Sequence, residues 1–358
     1  MAVTPQQVEM IKKSLFAASN KPYEPPPRGA KGAIPVPQPR PHPAVVPYDV
    51  FLAGTREDCQ PVVSRLIDIA NTSPAQKTDG WLTQRLSCIS GTGVSAVIGI
   101  DPYKTRASYI KGRVEGESFF GNAATAHGER YEPVSGQIFL LRNGGMAIEM
   151  PLVHHQEYGF IGASPDFVAI DSTGYPYIVE FKNPKTRIPN GNVPAHYLPQ
   201  IQTQLACTGL SVAIFCDSKF EEYESEAEAD ADDSKEWGVT KGVIAESSFA
   251  TQGKVGRFYP PLGSKEEQLA WLNGTNGSKR ITLRYWRLEM MHQVQVNYDD
   301  DLFLSWLPDL ETAWVEICDK RKEHAARLND EKEALIFALG GELTTFKPAP
   351  YSKKNMFA

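Results

Sequence analysis

An acid, a second acid and a lysine stand at the ends of two short segments that have the pattern of paired strands. Asp166 precedes the first segment, and the second segment contains Glu180 and Lys182. The turn between them, 171–174, ends in glycine, which is typical of a β-hairpin. Carboxylates are the hard oxygen ligands that Mg²⁺ and Mn²⁺ prefer, and a lysine ammonium can orient a water or bind a phosphate oxygen. This set suits metal-assisted hydrolysis of a phosphodiester.

The hairpin places the charged pair of its second strand on one face. Side chains alternate along a strand, so Glu180 and Lys182 point the same way. The opposite face is expected to be the buried one, and its residues are Tyr177, Val179 and Phe181. The alternative is that Glu180 and Lys182 form an ion pair on a solvated sheet surface while Asp166 merely begins a strand.

Two helical segments could add polar groups to this hairpin. A helical stretch between Ala123 and Leu141 contains Glu132, which could offer a third carboxylate. A second helix, 195–208, ends at a glycine. It carries side chains at i, i+3 and i+7 that share one stripe, namely Tyr197, Gln200 and Gln204. These amides could position a water or a phosphate, and the alternative is an ordinary polar face.

A fourth motif combines Arg85 with the glycine- and hydroxyl-rich segment 89–99. The segment predicts a short helix whose start could bind an anion, with a hydroxyl from Thr92 and a guanidinium from Arg85. The alternative is a helix cap with a nearby surface arginine. The pattern G-x-G-x-x-A also occurs here, but the preceding segment is not a predicted strand and no acidic strand end follows, which excludes a dinucleotide site.

Taken in chain order, these motifs resemble the lambda exonuclease or YqaJ-type viral recombinase family of restriction-endonuclease-like, PD-(D/E)xK nucleases. The resemblance covers about residues 81–217 and resumes around 281–317. It implies an α/β fold with a mixed central β-sheet flanked by helices on both faces. One departure is that Thr92 is followed by glycine, where the family commonly has an acidic residue.

The resemblance also implies roles for individual residues. The metal ligands would be Asp166, Glu180, the backbone carbonyl of Phe181, and Glu132. Lys182 would assist the attacking water, with Gln200 nearby. The 5′ phosphate and the DNA would be bound by Arg85, Thr92, Ser164 and Tyr197. The expected cofactor is Mg²⁺ or Mn²⁺, with two ions in each site.

The function that the resemblance implies is 5′-to-3′ degradation of linear double-stranded DNA from its ends, in viral recombination or genome processing. It further implies a homotrimer and a single-strand annealing protein as partner. Two alternatives stay open: a structure-specific or single-strand endonuclease on the same core, and a non-catalytic protein that binds DNA ends or a recombinase.

Composition predicts a soluble globular protein. The chain has 358 residues, of which 41% are hydrophobic. Its five cysteines show no C-x-x-C spacing, which disfavours a zinc site or an iron–sulfur cluster. No signal peptide or membrane-spanning run is apparent, so we expect an intracellular location, in the host cytoplasm or nucleus, without secretion or membrane attachment.

The net charge of −6 is unusual for a DNA-binding protein, but the charge is unevenly distributed. Residues 221–236 contain nine acidic residues and one lysine, and the rest of the chain has a net charge of +2. We interpret this acidic run as a solvated, mobile insertion.

The chain is expected to divide into five parts. An N-terminal segment with a proline-rich linker, 1–48, precedes the nuclease core, 49–217. An acidic and glycine-rich insertion, 218–279, separates this core from its C-terminal part, 280–340, and a basic tail, 341–358, follows.

Overall fold

The computed structural model describes residues 45–116, 122–251, 254–276 and 281–338. The predicted proline-rich segment, apart from its last four residues, and the predicted basic tail lie outside these ranges. Within the described ranges, no helix has the length and apolar character that a membrane span requires.

The helices follow amphipathic or capped segments of the chain. In chain order they are α1 (Tyr48–Gly54), α2 (Gln60–Thr72), α3 (Asp79–Arg85), α4 (Gly91–Val97), α5 (Arg106–Glu115), α6 (Ala123–Asn143), α7 (Leu198–Thr208), α8 (Glu226–Ala231), α9 (Lys265–Asn276) and α10 (Asp300–Ala338). The predicted α6 and α7 are confirmed. Asn122 caps α6 through its side chain, and Gly209 ends α7 in the left-handed conformation that glycine favours.

The strands form two sheets. They are β1 (Ile89–Ser90), β2 (Met146–Glu149), β3 (Val153–His154), β4 (Ile161–Ala163), β5 (Phe167–Ile170), β6 (Pro176–Lys182), β7 (Val212–Glu222), β8 (Lys241–Thr251), β9 (Lys254–Phe258) and β10 (Ile281–Asn297). The larger sheet has the order β2-β5-β6-β7-β10-β8-β9, and the smaller sheet has the order β1-β4-β3. Strands β6 and β7 are parallel and joined through α7, whereas the other pairs of the larger sheet are antiparallel.

The predicted hairpin is confirmed, but both of its faces are buried. Ile178 packs in one core with Ile201 of α7. On the opposite side of the sheet, Val179 packs with Phe139 of α6. The prediction of a single buried face is therefore wrong, because helices cover the sheet on both sides. The expected α/β class, a mixed sheet between helices, is confirmed.

The segment 218–279, which the sequence analysis assigned to an insertion, contributes strands to the large sheet. Glu222 ends β7, and β8 pairs with β10 along residues 241–247. Alternating apolar residues make this pairing favourable, since Val243 and Ala245 are buried with Leu272 of α9. The acidic residues are concentrated between these strands. The proposed domain boundaries stay a prediction.

Candidate active site

Asp166 lies directly before β5, and its carboxylate reaches across the hairpin to β6. Its Oδ2 accepts a 2.8 Å hydrogen bond from the backbone N–H of Phe181. The antiparallel register of β5 and β6 sets this position. Because Phe181 lies between Glu180 and Lys182, the bond holds Asp166 beside both charged residues.

Glu180 is buried, with 2% of its surface exposed, and donors hold both of its carboxylate oxygens. Its Oε1 accepts hydrogen bonds from Nε2 of Gln200, at 2.6 Å, and from the ammonium of Lys182. Its Oε2 accepts a 2.6 Å hydrogen bond from Nε2 of Gln204. The predicted polar stripe of α7 therefore faces β6 and fixes the orientation of the carboxylate.

Lys182 lies between the acids and an aromatic ring. Its ammonium stands 5.1 Å from the centroid of the Tyr197 ring, within cation–π range. Burial lowers the pKa of Lys182, but the carboxylates of Glu180 and Asp166 outweigh burial and leave the pKa above its ordinary value. The side chain is therefore an ammonium at neutral pH, and it serves as a hydrogen-bond donor and a positive charge.

The surroundings of Asp166 disfavour its ionised form. Burial raises the pKa of Asp166 well above its ordinary value of 3.8, and the nearby carboxyls of Glu180 and Glu132 raise it further. The Lys182 ammonium and the Phe181 N–H oppose this shift without cancelling it. Ionising Asp166 is thus unfavourable unless a further cation approaches.

These residues fit a divalent metal by their donor chemistry. In the described part of the chain, no group of three or more His, Cys, Asp or Glu side chains is arranged as a ready-made metal site. Asp166 and Glu180 are nonetheless hard oxygen donors, and a bound cation would offset both the burial and the carboxyl repulsion that raise the pKa of Asp166. The predicted ligand set stays a proposal.

Glu132 of α6 acts on Asp166 through its charge, and its own carboxylate has a lysine partner. Nζ of Lys77 lies 2.8 Å from Oε1 of Glu132. Lys77 has a backbone φ of +66°, a left-handed conformation that costs a non-glycine residue about 1–2 kcal/mol. The chain keeps this cation beside the acids despite that strain.

A second cluster gathers the residues predicted to bind a phosphate. The Arg85 guanidinium donates hydrogen bonds of 3.1 Å to the hydroxyls of Ser90 and Thr92. It also stacks over the ring of Trp81, at 4.4 Å from the ring centroid. The indole N–H of Trp81 donates a 3.0 Å hydrogen bond to Oγ of Ser164. Ser164 belongs to the same tripeptide as Asp166, so the cluster adjoins the acidic site.

Two further arginines lie next to this cluster. Arg113 of α5 donates to the backbone carbonyl of Arg85 and, at 2.5 Å, to that of Cys88. Arg321 of α10 donates to the backbone carbonyls of Arg113 and Leu86, at 2.9 and 3.0 Å. Burial and the Arg113 charge lower the pKa of Arg85. An anion beside Arg85 would compensate these crowded cations.

Sequence reasoning missed three neighbours of the predicted site. Trp81 could have been found, because it stands one helical turn before Arg85 on α3. Ser90 could have been found as the N-cap residue of α4, a position where serine is common. Lys77 has no local signal, since nothing in its own segment relates it to an acid 55 positions away.

Comparison with known proteins shows which family this part of the chain is similar to. Residues 80–211 match the model of the YqaJ-like viral recombinase domain. An uncharacterised protein of Acanthamoeba polyphaga mimivirus is 31% identical over 165 residues, which are 42% of this chain and 30% of that protein. A protein of African swine fever virus is 28% identical over 178 residues, which are 41% of this chain and 51% of that protein. The matches thus span about half or less of these relatives.

Solved structures match the chain more distantly. The alkaline exonuclease LHK-Exo of Laribacter hongkongensis, in complex with dAMP, is 20% identical. The match covers 70% of this chain and 100% of that chain, with a TM-score of 0.44.

The matched residues 80–211 include Asp166, Glu180, Lys182 and Arg85. The part of the chain that carries the candidate active site therefore matches the model of the YqaJ-like viral recombinase domain, the family that the sequence motifs resemble.

Proposed function

We propose that this protein is a divalent-cation-dependent deoxyribonuclease that degrades linear double-stranded DNA from its 5′ ends. The observation that carries the proposal is the convergence of Asp166, Glu180 and Lys182 within a YqaJ-like viral recombinase domain. The hairpin of β5 and β6 and helix α7 fix these groups. Burying a carboxylate such as Glu180 adds little to stability, so its presence points to a functional need for the charge. The match to a viral recombinase domain model, together with relatives from two viruses, supports a role in viral recombination or genome processing.

In this proposal the acidic residues hold the cofactor. Asp166 and Glu180, together with the Phe181 carbonyl and Glu132, would bind Mg²⁺ or Mn²⁺, with two ions in the site. When bound, such ions lower the pKa of water and neutralise charge on a phosphodiester under attack. Gln200 and Gln204 keep Glu180 in one orientation by donating to both of its oxygens.

Lys182 supplies a fixed positive charge to the reaction. Its raised pKa means that it donates hydrogen bonds instead of removing a proton. The ammonium would orient the attacking water or bind an oxygen of the phosphate. Tyr197, whose ring lies against the ammonium, limits where Lys182 can point and would lie beside the DNA.

The Arg85 cluster would bind the 5′ phosphate at the end of a strand. A guanidinium and the hydroxyls of Thr92 and Ser164 are suitable donors for phosphate oxygens. Trp81 connects Arg85 with Ser164, so these donors are arranged before the ligand arrives. Anchoring a 5′ phosphate beside the acidic site would favour cleavage from 5′ ends.

The assembly and partners rest on the family resemblance. We propose a homotrimer that engages double-stranded DNA ends and works with a single-strand annealing protein inside the host cell. Sedimentation of the purified protein with and without duplex DNA tests the trimer.

One assay tests the proposed activity. Purified protein is incubated with end-labelled linear duplex, single strand and covalently closed circle, with Mg²⁺ or with a chelator. The proposal predicts cleavage of the linear duplex with Mg²⁺ and no cleavage of the circle. Rapid cutting of the circle or a preference for single strands would favour an endonuclease or a single-strand nuclease. Binding of ends without cleavage would favour the non-catalytic alternative.

A further inference from the structure

Gln76, the residue before Lys77, holds the loop that precedes α3 next to the acidic site. Nε2 of Gln76 donates hydrogen bonds to the backbone carbonyls of Met150, at 2.7 Å, and Pro165, at 2.9 Å. Pro165 directly precedes Asp166. The loop position is therefore fixed relative to the acids, and Lys77 follows Gln76 directly.

The backbone of Lys77 adopts a conformation that its side chain disfavours. Among the described residues, it is the one non-glycine residue with a positive φ, at +66°. Glycine or asparagine would adopt this conformation more readily, and strained residues of this kind concentrate at functional sites. A lysine at this position points to a use for its ammonium.

The ammonium of Lys77 is paired with the carboxylate of Glu132. Nζ of Lys77 is 2.8 Å from Oε1 of Glu132, and about half of the lysine side chain is exposed to solvent (51%). Glu132 is itself less exposed, at 27%. The lysine is therefore the more exposed partner of this ion pair, and the carboxylate is the less exposed one.

We propose that Lys77 is an internal counter-ion of the acidic site, which competes with divalent cations for the Glu132 carboxylate. In the cation-free protein its ammonium neutralises Glu132 and lessens the repulsion among three nearby carboxyls. A divalent cation that uses Glu132 must displace this ammonium or share the oxygen with it. Lys77 thus sets the cation concentration at which the site fills. The inference rests on the proposed function, because it takes Glu132 as a ligand.

The test is a direct titration of the intact protein with Mn²⁺, without DNA, in which free Mn²⁺ is followed by electron paramagnetic resonance. Lys77→Gln removes the charge, and we expect it to bind Mn²⁺ about tenfold more tightly, since a unit charge about 6 Å from a divalent ion in water has about this effect. Lys77→Asn also removes the charge and tolerates the positive φ, so it should tighten binding equally. Lys77→Arg keeps the charge and should stay within about twofold of the wild type.

Two further variants separate the possible outcomes. Lys111→Gln removes an exposed lysine that pairs with Glu115 on α5, and it should leave Mn²⁺ binding unchanged. Asp166→Asn should abolish binding, and full Mn²⁺ binding by this variant would remove the metal site and the proposed function with it. If Asp166→Asn abolishes binding but both neutral Lys77 variants bind no more tightly than the wild type, the counter-ion role alone is overturned. Tightening by Lys77→Asn alone would assign the effect to the backbone and would also overturn it.

Discussion

The side-chain amide of Gln204 donates a 2.6 Å hydrogen bond to Oε2 of Glu180, and both residues are buried. Gln200, one helical turn earlier, donates to the other oxygen of the same carboxylate. Between them in sequence, Gln202 points elsewhere. It donates to the Asn297 carbonyl at 2.8 Å and accepts from the backbone N–H of Asp299 at 2.9 Å. Neighbouring glutamines on one helix thus serve the site and the fold separately.

Replacing Gln204 should impair cleavage more than stability. Gln204→Met removes the donor to Glu180 with little change in volume, and outer-sphere partners of metal ligands are commonly worth about 10–100-fold in affinity or activity. We expect kcat/KM for linear duplex to fall by about that factor.

Gln202→Met is the matched control for the Gln204 variant. It should lower the free energy of unfolding by about 1–3 kcal/mol, because two backbone groups lose their partner. Cleavage by the folded fraction should be retained. Full activity in Gln204→Met, or equal losses in the two variants, would contradict the separate roles.

Asp166→Asn should abolish cleavage and stabilise the fold. Burial and the carboxyls of Glu180 and Glu132 raise the folded-state pKa of Asp166, so the folded protein binds this proton more tightly than the unfolded chain. Stability therefore falls as the pH rises from the unfolded pKa, 3.8, through the raised folded pKa. The uncharged variant escapes this loss. We expect a gain of about 1–2 kcal/mol at neutral pH.

Thermal unfolding in a chelator, followed by circular dichroism from about pH 3 to about pH 8, measures this difference. The two proteins should converge at the acidic end, where Asp166 is protonated in both states. A wild type that is more stable than Asp166→Asn at neutral pH would show that the ionised carboxyl is not a burden on the fold.

Arg85→Ala should weaken the distinction between kinds of DNA end. The variant loses the guanidinium that contacts Ser90 and Thr92, and hydrogen bonds to charged groups contribute about 1.5–3 kcal/mol. We expect the preference for 5′-phosphorylated over 5′-hydroxyl duplex ends to fall by about tenfold or more. The measurement is the ratio of the two initial rates. An unchanged ratio in Arg85→Ala would remove the phosphate-binding role, whatever its total activity. Arg56→Ala, which removes an exposed arginine paired with Asp58, is the control.

Glu246 of β8 should stabilise the part of the sheet that the sequence analysis assigned to an insertion. It accepts hydrogen bonds from Arg284, from Arg130 at 2.9 Å and from Arg257 at 3.1 Å. Burial alone would raise the pKa of Glu246, but these arginines lower it to about 2. The stabilisation is therefore present above the ordinary pKa of 4.5 and is lost as the pH falls towards 2.

Glu246→Gln should lower the free energy of unfolding by about 3 kcal/mol at pH 7, because removing one partner leaves buried charges uncompensated. The difference from wild type should shrink between about pH 5 and pH 2, as the carboxyl becomes protonated. Urea unfolding at several pH values measures it. An equal loss at both pH limits would mean that charge is not the cause.

The sequence predicted the local parts of the site because their geometry follows from short-range periodicity. Alternation along β6 placed Glu180 and Lys182 together, and helical spacing placed Gln200 and Gln204 on one stripe. The grouping of Arg85 with Thr92 was also predicted, and it is present.

The parts that could not be predicted depend on long-range packing. Burial of both hairpin faces depends on where α6 and α7 lie, which a strand pattern does not encode. The acidic run was assigned to an insertion because its many charged residues gave no indication of the strands that flank it. Three arginines from distant segments neutralise Glu246, and only the folded sheet brings them together.

In the proposed reaction the Lys182 ammonium, beside Asp166 and Glu180, assists the cation-dependent attack of water on a phosphodiester. The most direct test is the rate of nucleotide release from linear duplex DNA with Mg²⁺ by Lys182→Ala, with Lys185→Ala as the control in the following loop. We expect a loss of about 100-fold or more for Lys182→Ala, with its fold intact, and near wild-type release for the control. Undiminished release by Lys182→Ala would show that the ammonium has no part in the reaction.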